Sequence, residues 1–268
     1  VMLRSDFDRL YADDIEAILR LKESRNAVIL AHNYQTPEIF HCVSDICGDS
    51  LALARKAQGL DADIIVMAGV HFMAETAKMM NPDKTVLIPD MMAGCSLASS
   101  ITAADVRAMK AANPGVPVVT YVNSTADVKA ESDVCCTSAN AANIVRSLGV
   151  PRVIMIPDEF LARNIQAETG IEMITWPGHC EVHERFTPAE IRRYRRQNRG
   201  VVVMAHPECP PDVVQEAAFS GSTAAMADSV STAKPEEVFL VTECSMRATL
   251  ATLNPAPEFF RPCTPCPR

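Results

Sequence analysis

The strongest constraint in this sequence is a register: loops that follow apolar runs recur with a period of about 86 residues. Apolar runs predict strands at 27–31, 64–68, 85–88, 117–121, 134–137, 152–156, 172–175, 200–205 and 238–241. Helical patterns fall between them at 50–58, 72–80, 103–112, 140–148, 188–195 and 211–219, and one more helix is expected ahead of the pattern at 11–25. Strands separated by helices predict parallel sheets covered by helices, an α/β fold. The landmark loops are His32, Asp49, Gly69 and Pro89 in the first third, and Tyr121, Thr137, Pro157 and Trp176 in the second. His206, Ser222, Thr242 and Phe260 follow in the last third. The steps between them are 17, 20 and 20, then 16, 20 and 19, then 16, 20 and 18. This spacing predicts three pseudo-threefold-related α/β repeats around a central site, divided as 1–113, 114–198 and 199–268.

Two features ride on the register. The second loop of each repeat carries a serine at or beside a predicted helix start: Ser50, Ser138 and Ser222. The last loop of each carries a cysteine, and Cys95, Cys180 and Cys266 are 85 and 86 residues apart. Three equivalent loops can converge on one axis. After Cys95 and Cys180 the pattern runs on into a helix, whereas only Pro267 and Arg268 follow Cys266, so the third repeat is expected to lack its closing helix and the chain to be a fragment.

Three thiolates at one point suit a cubane iron–sulfur cluster with one iron left open, and the Gly and Pro residues around Cys95, Cys180 and Cys266 keep such loops tight. Zinc is the competing metal, with His179 or His183 as a fourth ligand. The pair Cys263/Cys266 could instead form a disulfide or bind zinc with outside ligands. The chain holds ten cysteines, but its start has no basic segment and apolar core of a secretory signal, which disfavours a disulfide scaffold. Cys42, Cys47, Cys135 and Cys136 read as small buried hydrophobes, the first two in a mixed helical segment and the last two in a strand. A net charge of −8 argues against an electrostatic nucleic-acid or membrane binder, and no run of eighteen apolar residues suggests a membrane span.

The first loop of each repeat is rich in groups that can move protons or bind oxygen: His32, Asn33 and Tyr34, then Tyr121 and Asn123, then His206 and Glu208. The serine-led helix starts offer hydroxyls and free N–H groups for phosphate or carboxylate. His41 and His71 have no repeat partner and read as structural, and the pairs Met79-Met80 and Met91-Met92 read as packing residues. Neither a G-x-G-x-x-G nor a G-x-x-x-x-G-K-[ST] motif is present, so the common nucleotide sites are not supported.

These segments resemble quinolinate synthase, an iron–sulfur enzyme of de novo NAD biosynthesis, over about Ala31 to Cys266. The most specific pieces are Ala31-His32-Asn33-Tyr34-Gln35, Gly48-Asp49-Ser50-Leu51-Ala52, Ala93-Gly94-Cys95-Ser96, Trp176-Pro177-Gly178-His179-Cys180, His206-Pro207-Glu208-Cys209 and Gly221-Ser222-Thr223. The resemblance implies three α/β domains around one active site in a cytoplasmic enzyme of the transferase class. It implies condensation of iminoaspartate with dihydroxyacetone phosphate, releasing phosphate and water, with L-aspartate oxidase or aspartate dehydrogenase as the source of iminoaspartate. By motif match Cys95, Cys180 and Cys266 would hold one [4Fe–4S] cluster, with Tyr34, His206 and Glu208 catalytic. Substrate contacts would come from His32, Ser50, Tyr121, Val122, Asn123, Ser138, His183, His206, Pro207, Glu208 and Thr223. The family continues past its third cysteine through a Met-Lys motif and a closing helical segment, where this chain stops at Arg268. Two other classes compete: an iron–sulfur hydro-lyase acting on a small hydroxy acid, and a non-enzymatic zinc or cluster-binding module.

Overall fold

The computed structural model describes residues 9–260. Its strands form three four-stranded parallel sheets with the same internal order. The first contains β1 (Ala27–His32), β2 (Ile46–Gly48), β3 (Ile64–Ala68) and β4 (Thr85–Leu87), arranged β2-β1-β3-β4. The second contains β5 (Val118–Tyr121), β6 (Val134–Cys136), β7 (Arg152–Ile156) and β8 (Glu172–Thr175), arranged β6-β5-β7-β8. The third contains β9 (Val202–Ala205), β10 (Phe219–Ser220), β11 (Glu237–Val241) and β12 (Glu258–Phe260), arranged β10-β9-β11-β12. In each sheet the chain leaves its first strand in one direction and later returns to the other side. That makes the C-terminal end of β1, β5 and β9 a topological switch point, where open α/β sheets place their ligands. His32, Tyr121 and His206 sit at those three ends.

Both faces of every sheet are covered, which is why the strands read as continuous apolar runs. Along the strands, residues alternate between two cores. Leu30, Ile65 and Met67 enter one cluster, while Ile29, Ala31 and Ala68 enter another. Val119, Val153 and Met155 join the cluster of Leu30, so the first two sheets share a core, while Val118, Ile154 and Ile156 face a separate one. In the third sheet Val203, Phe239 and Val241 oppose Met204, Val238 and Leu240. Each fully buried aliphatic side chain of this kind contributes about 1.5–3 kcal/mol.

The helices are α1 (Ala12–Ser24), α2 (Ser50–Ala57), α3 (His71–Met80), α4 (Ala103–Ala112), α5 (Ala126–Ala130), α6 (Ala141–Ser147) and α7 (Glu159–Thr169). They continue as α8 (Pro188–Gln197), α9 (Pro211–Gln215), α10 (Thr223–Ala233) and α11 (Ser245–Leu253). Local chemistry repeats with the register. Thr102 and Thr187 both form capping boxes, with Asp105 and Glu190, and so start α4 and α8 at equivalent places. A short 3₁₀ turn follows Cys95, Ala98–Ser100, and another follows Cys180, His183–Arg185. Each of these helices covers the sheet that comes after it. Val106 of α4 packs with Val118 and Ile154, and Tyr194 of α8 stacks on Phe239 at 4.2 Å.

Several expectations need correction. Three short strands, β2, β10 and β12, escaped the apolar-run criterion. Cys47 lies in β2 and not in a helix, where it is half-buried, and Cys42 is buried in a single π turn, Ile39–Val43. In β6 the pleat sends Cys136 into the core and leaves Cys135 exposed. The helix expected over 211–219 stops at Gln215, because Phe219 and Ser220 pair with β9. Met79, Met91 and Met92 do not pack; Met92 is 84% exposed. Among the described residues no helix is long and apolar enough to cross a membrane. Cys263 and Cys266 lie outside the described residues, and among the described residues no two cysteines form a disulfide.

Candidate active site

A cavity of about 360 Å³ opens where the loops at the C-terminal ends of all three sheets meet. His32, Tyr34 and Ser50 reach it from the first sheet, Tyr121, Val122, Asn123 and Ser138 from the second, and His206, Glu208 and Thr223 from the third. Cys95, Cys180 and His183 complete the part that carries chemistry. No lysine or arginine stands among the described lining residues. Positive potential for an anion therefore comes from helix N-termini: α2 presents Ser50, α10 presents Thr223 and α11 presents Ser245.

The backbone sets two histidines in matching turns. The Tyr34 N–H donates to His32 Nδ1 at 3.2 Å, and the Glu208 N–H donates to His206 Nδ1 at 3.3 Å. Burial lowers the pKa of His32 to about 4 and that of His206 to about 3. Both rings are therefore neutral at physiological pH, and with Nδ1 accepting, each proton sits on Nε2. The site thus contains two neutral imidazole N–H donors at related positions.

Glu208 is the hub. Its Oε1 accepts from Asn123 Nδ2 at 3.1 Å, and its Oε2 lies 2.8 Å from His183 Nδ1. Burial works against its ionisation, yet the His206 and His183 imidazoles and the Tyr121 hydroxyl outweigh it and hold its carboxyl below the usual range. The His183 ring stacks on His206 at 4.8 Å. Its Nδ1 also lies 3.1 Å from Cys180 Sγ, and its Nε2 lies 3.0 Å from Thr242 Oγ1. The same Thr242 oxygen is 2.7 Å from the Tyr34 hydroxyl, whose pKa burial and the Glu208 charge push well above the ordinary value.

The donor set suits a thiolate-rich metal centre. Burial pushes the Cys180 thiol well up, and the nearby Glu208 and Cys95 charges push it further. A cation between these sulfurs would reverse that balance and favour the thiolates. Cys180 Sγ, His183 and Glu208 offer ligand atoms within 4.8 Å of one another. His183, already bonded to both neighbours, fits a supporting role beside the sulfur. His179 does not face this centre: it bonds Glu159 at 2.9 Å and stacks on Phe160 at 4.3 Å.

Residues 16–268 match the family described as Quinolinate synthetase A protein. The chain is 70% identical to Quinolinate synthase 2 of Mesorhizobium japonicum over 257 residues, covering 96% of this chain and 79% of that protein. It is 65% identical to quinolinate synthase of Agrobacterium fabrum, covering 96% of this chain and 74% of that protein. For quinolinate synthase of Caulobacter vibrioides the identity is 58%, covering 97% and 72%. The chain belongs to the quinolinate synthase family.

For a quinolinate synthase site, the sequence named residues that the fold does bring together. Every described candidate lines the cavity except Pro207, which is buried behind it with its carbonyl accepting from Asn164 Nδ2 at 2.8 Å. The three serine-led starts are not alike. Asp49, not Ser50, caps α2, Ser138 lies in the loop before α6, and the Ser222 hydroxyl is used as the cap of α10. Asn33, named with the first-loop polar groups but given no role of its own, donates from Nδ2 to Thr223 Oγ1 at 2.8 Å and ties the first repeat to the third. Sequence reasoning missed the role of Thr242, although the register had already marked that position as a landmark loop.

Proposed function

We propose that this chain condenses iminoaspartate with dihydroxyacetone phosphate to quinolinate, phosphate and water, a step of NAD biosynthesis. The observation that carries the reading is one cavity in which two of the register cysteines meet the Glu208–His183–Thr242–Tyr34 chain of hydrogen bonds. Cys95, Cys180 and Cys266 would hold a [4Fe–4S] cluster, which when bound supplies a Lewis-acidic iron that eases loss of water. The remaining chemistry belongs to the protein. Neutral His32 and His206 donate Nε2–H bonds to substrate oxygens as charge develops on them. Glu208 accepts a proton during enol formation, and Tyr34 donates or accepts one as hydroxide leaves.

Anion binding follows from the helix starts. Thr223 Oγ1 already accepts from Asn33, so its own O–H is available to a phosphate or carboxylate oxygen. Ser50 and Ser138 add hydroxyls, while Tyr121, Val122 and Asn123 line the same cavity. Pro207 stiffens the turn that holds His206 and Glu208.

The test is turnover by anaerobically prepared enzyme with iminoaspartate and dihydroxyacetone phosphate, followed by mass spectrometry. Quinolinate and phosphate in equal amounts support the reading. Dehydration of a small hydroxy acid without need of the triose phosphate would overturn it. A mononuclear zinc centre is favoured by one observation, the compact Cys180–His183–Glu208 group. Zinc in place of iron in the purified protein would establish that second reading.

A further inference from the structure

The turn that carries Glu208 belongs to the third repeat, yet it is gripped from outside it. Asn164 lies on α7 of the second repeat and is half-buried. Its Nδ2 donates to the Pro207 carbonyl at 2.8 Å and to the Cys209 carbonyl at 2.9 Å. These carbonyls belong to the two residues that flank Glu208. A carbonyl only accepts, so the amide turns its NH₂ toward the pair, and its two protons match the two acceptors.

Bonds within the third repeat secure the N–H side of the same turn. The Cys209 N–H donates to the His206 carbonyl at 3.0 Å, and the Glu208 N–H donates to His206 Nδ1 at 3.3 Å. Asn164 takes the carbonyl side. The carboxylate itself is also held by the second repeat, since Asn123 Nδ2 donates to Glu208 Oε1 at 3.1 Å. Two asparagines of one repeat thus hold a glutamate of another by its main chain and by its carboxylate. Glu208 and Cys209 are buried, so bulk water does not stand ready to replace the Asn164 amide. Helix α7 also lies against α9, the helix into which the turn leads, and so offers a fixed platform for the grip.

We propose that Asn164 is a positioning residue for Glu208: its amide fixes the 207–209 turn and thereby sets where the carboxylate stands in the cavity. Asn164 does not line the cavity and touches no reacting atom. The effect on turnover rests on the proposed function, whereas the placement of the carboxylate does not.

The experiment replaces Asn164 by leucine, which is close in shape and has no donor. In anaerobic holoenzyme kcat falls by about 10–100-fold in N164L, the scale expected when a reacting group loses its aim. KM for dihydroxyacetone phosphate and the iron content stay within about twofold of wild type. In a Glu208→Gln background the same leucine change lowers kcat by less than about threefold, because the group it aims is already gone. In crystals of N164L, Glu208 Oε1 stands beyond about 3.5 Å from Asn123 Nδ2. Asn164→Ser leaves at most one of the two bonds and carries the same comparisons if the leucine variant does not fold. Full multiplication of the two losses, an unchanged kcat in N164L, or a carboxylate still bonded to Asn123 overturns the inference. A wild-type enzyme that makes no quinolinate sinks the proposed function instead, and the crystal comparison still decides this point.

Discussion

Lys129 carries a stability cost that can be measured. It lies on α5, is 9% exposed, and reaches across to α3 of the first repeat. There its Nζ donates to Thr76 Oγ1 at 3.0 Å and stands 5.4 Å from the Phe72 ring centre. Burial pulls its pKa from 10.5 to about 8, with Cys135 and Glu75 opposing the drop. A fall of that size corresponds to about 3 kcal/mol between the charged and neutral amine. The sign is fixed by linkage: a lysine with a depressed folded pKa destabilises the fold most below that pKa, and the cost fades as pH rises toward the unfolded value. Lys129→Met keeps the apolar stem over Phe72 and removes the ammonium. The Thr76 hydroxyl stays partnered, because it donates to the Phe72 carbonyl at 2.8 Å. After allowing about 1 kcal/mol for the lost cation–π contact, K129M gains about 1–3 kcal/mol at pH near 7. The gain shrinks to below about 1 kcal/mol at pH near 10. Urea unfolding of the reduced, metal-free chain at both pH values measures this. A gain independent of pH, or a loss at neutral pH, would refute the assignment of a buried charged amine.

Three further outcomes follow from the same reasoning. Asp158 caps α7 through Oδ1, which accepts from the Leu161 N–H at 2.9 Å, while its buried Oδ2 has no hydrogen-bond partner. Burial and the Glu208 charge raise its pKa, so its folded form favours the proton and stability falls as pH rises through that value. Asp158→Asn keeps the cap and is expected to gain about 1–3 kcal/mol at mildly alkaline pH, with less gain in acid, as thermal or urea unfolding will register. Glu208→Gln removes the carboxylate base and leaves one acceptor oxygen for both Asn123 and His183, and quinolinate formation should drop by about 10²–10⁴-fold in steady-state assays with iron content retained. A Cβ at Gly178 would sit 2.5 Å from the Pro157 carbonyl oxygen and 2.7 Å from Ser100 Oγ. Gly178→Ala therefore displaces the Cys180 loop and lowers iron per chain, read by metal analysis beside the wild type.

What the sequence disclosed was governed by burial. Ile64–Ala68 and Arg152–Ile156 are buried on both faces of a parallel sheet, so their apolar runs end where the strands end. Ala103–Ala112 was equally plain, because a capping box marks its start. The missed strands are edge or near-edge pieces of two or three residues, such as Phe219–Ser220, held by backbone pairing to β9 and too short to show any period. Met91 and Met92 misled because hydrophobicity alone does not place a loop residue inside. At the site, the register located the loops at His32, Tyr121 and His206, since equivalent strand ends recur at fixed spacing. Thr242 gave no local sign of its role, because its partners Tyr34 and His183 come from other repeats. Pro207 was drawn in by its neighbours, though it packs behind the cavity.

We propose that Cys95, Cys180 and Cys266 together hold one iron–sulfur cluster. The most direct test is anaerobic iron and sulfide analysis with the visible spectrum, on the wild type and on Cys95→Ala, Cys180→Ala and Cys266→Ala. About four irons and four sulfides per chain are expected in the wild type, and their loss in each single variant. A cluster indifferent to all three changes, or zinc where iron is expected, contradicts it.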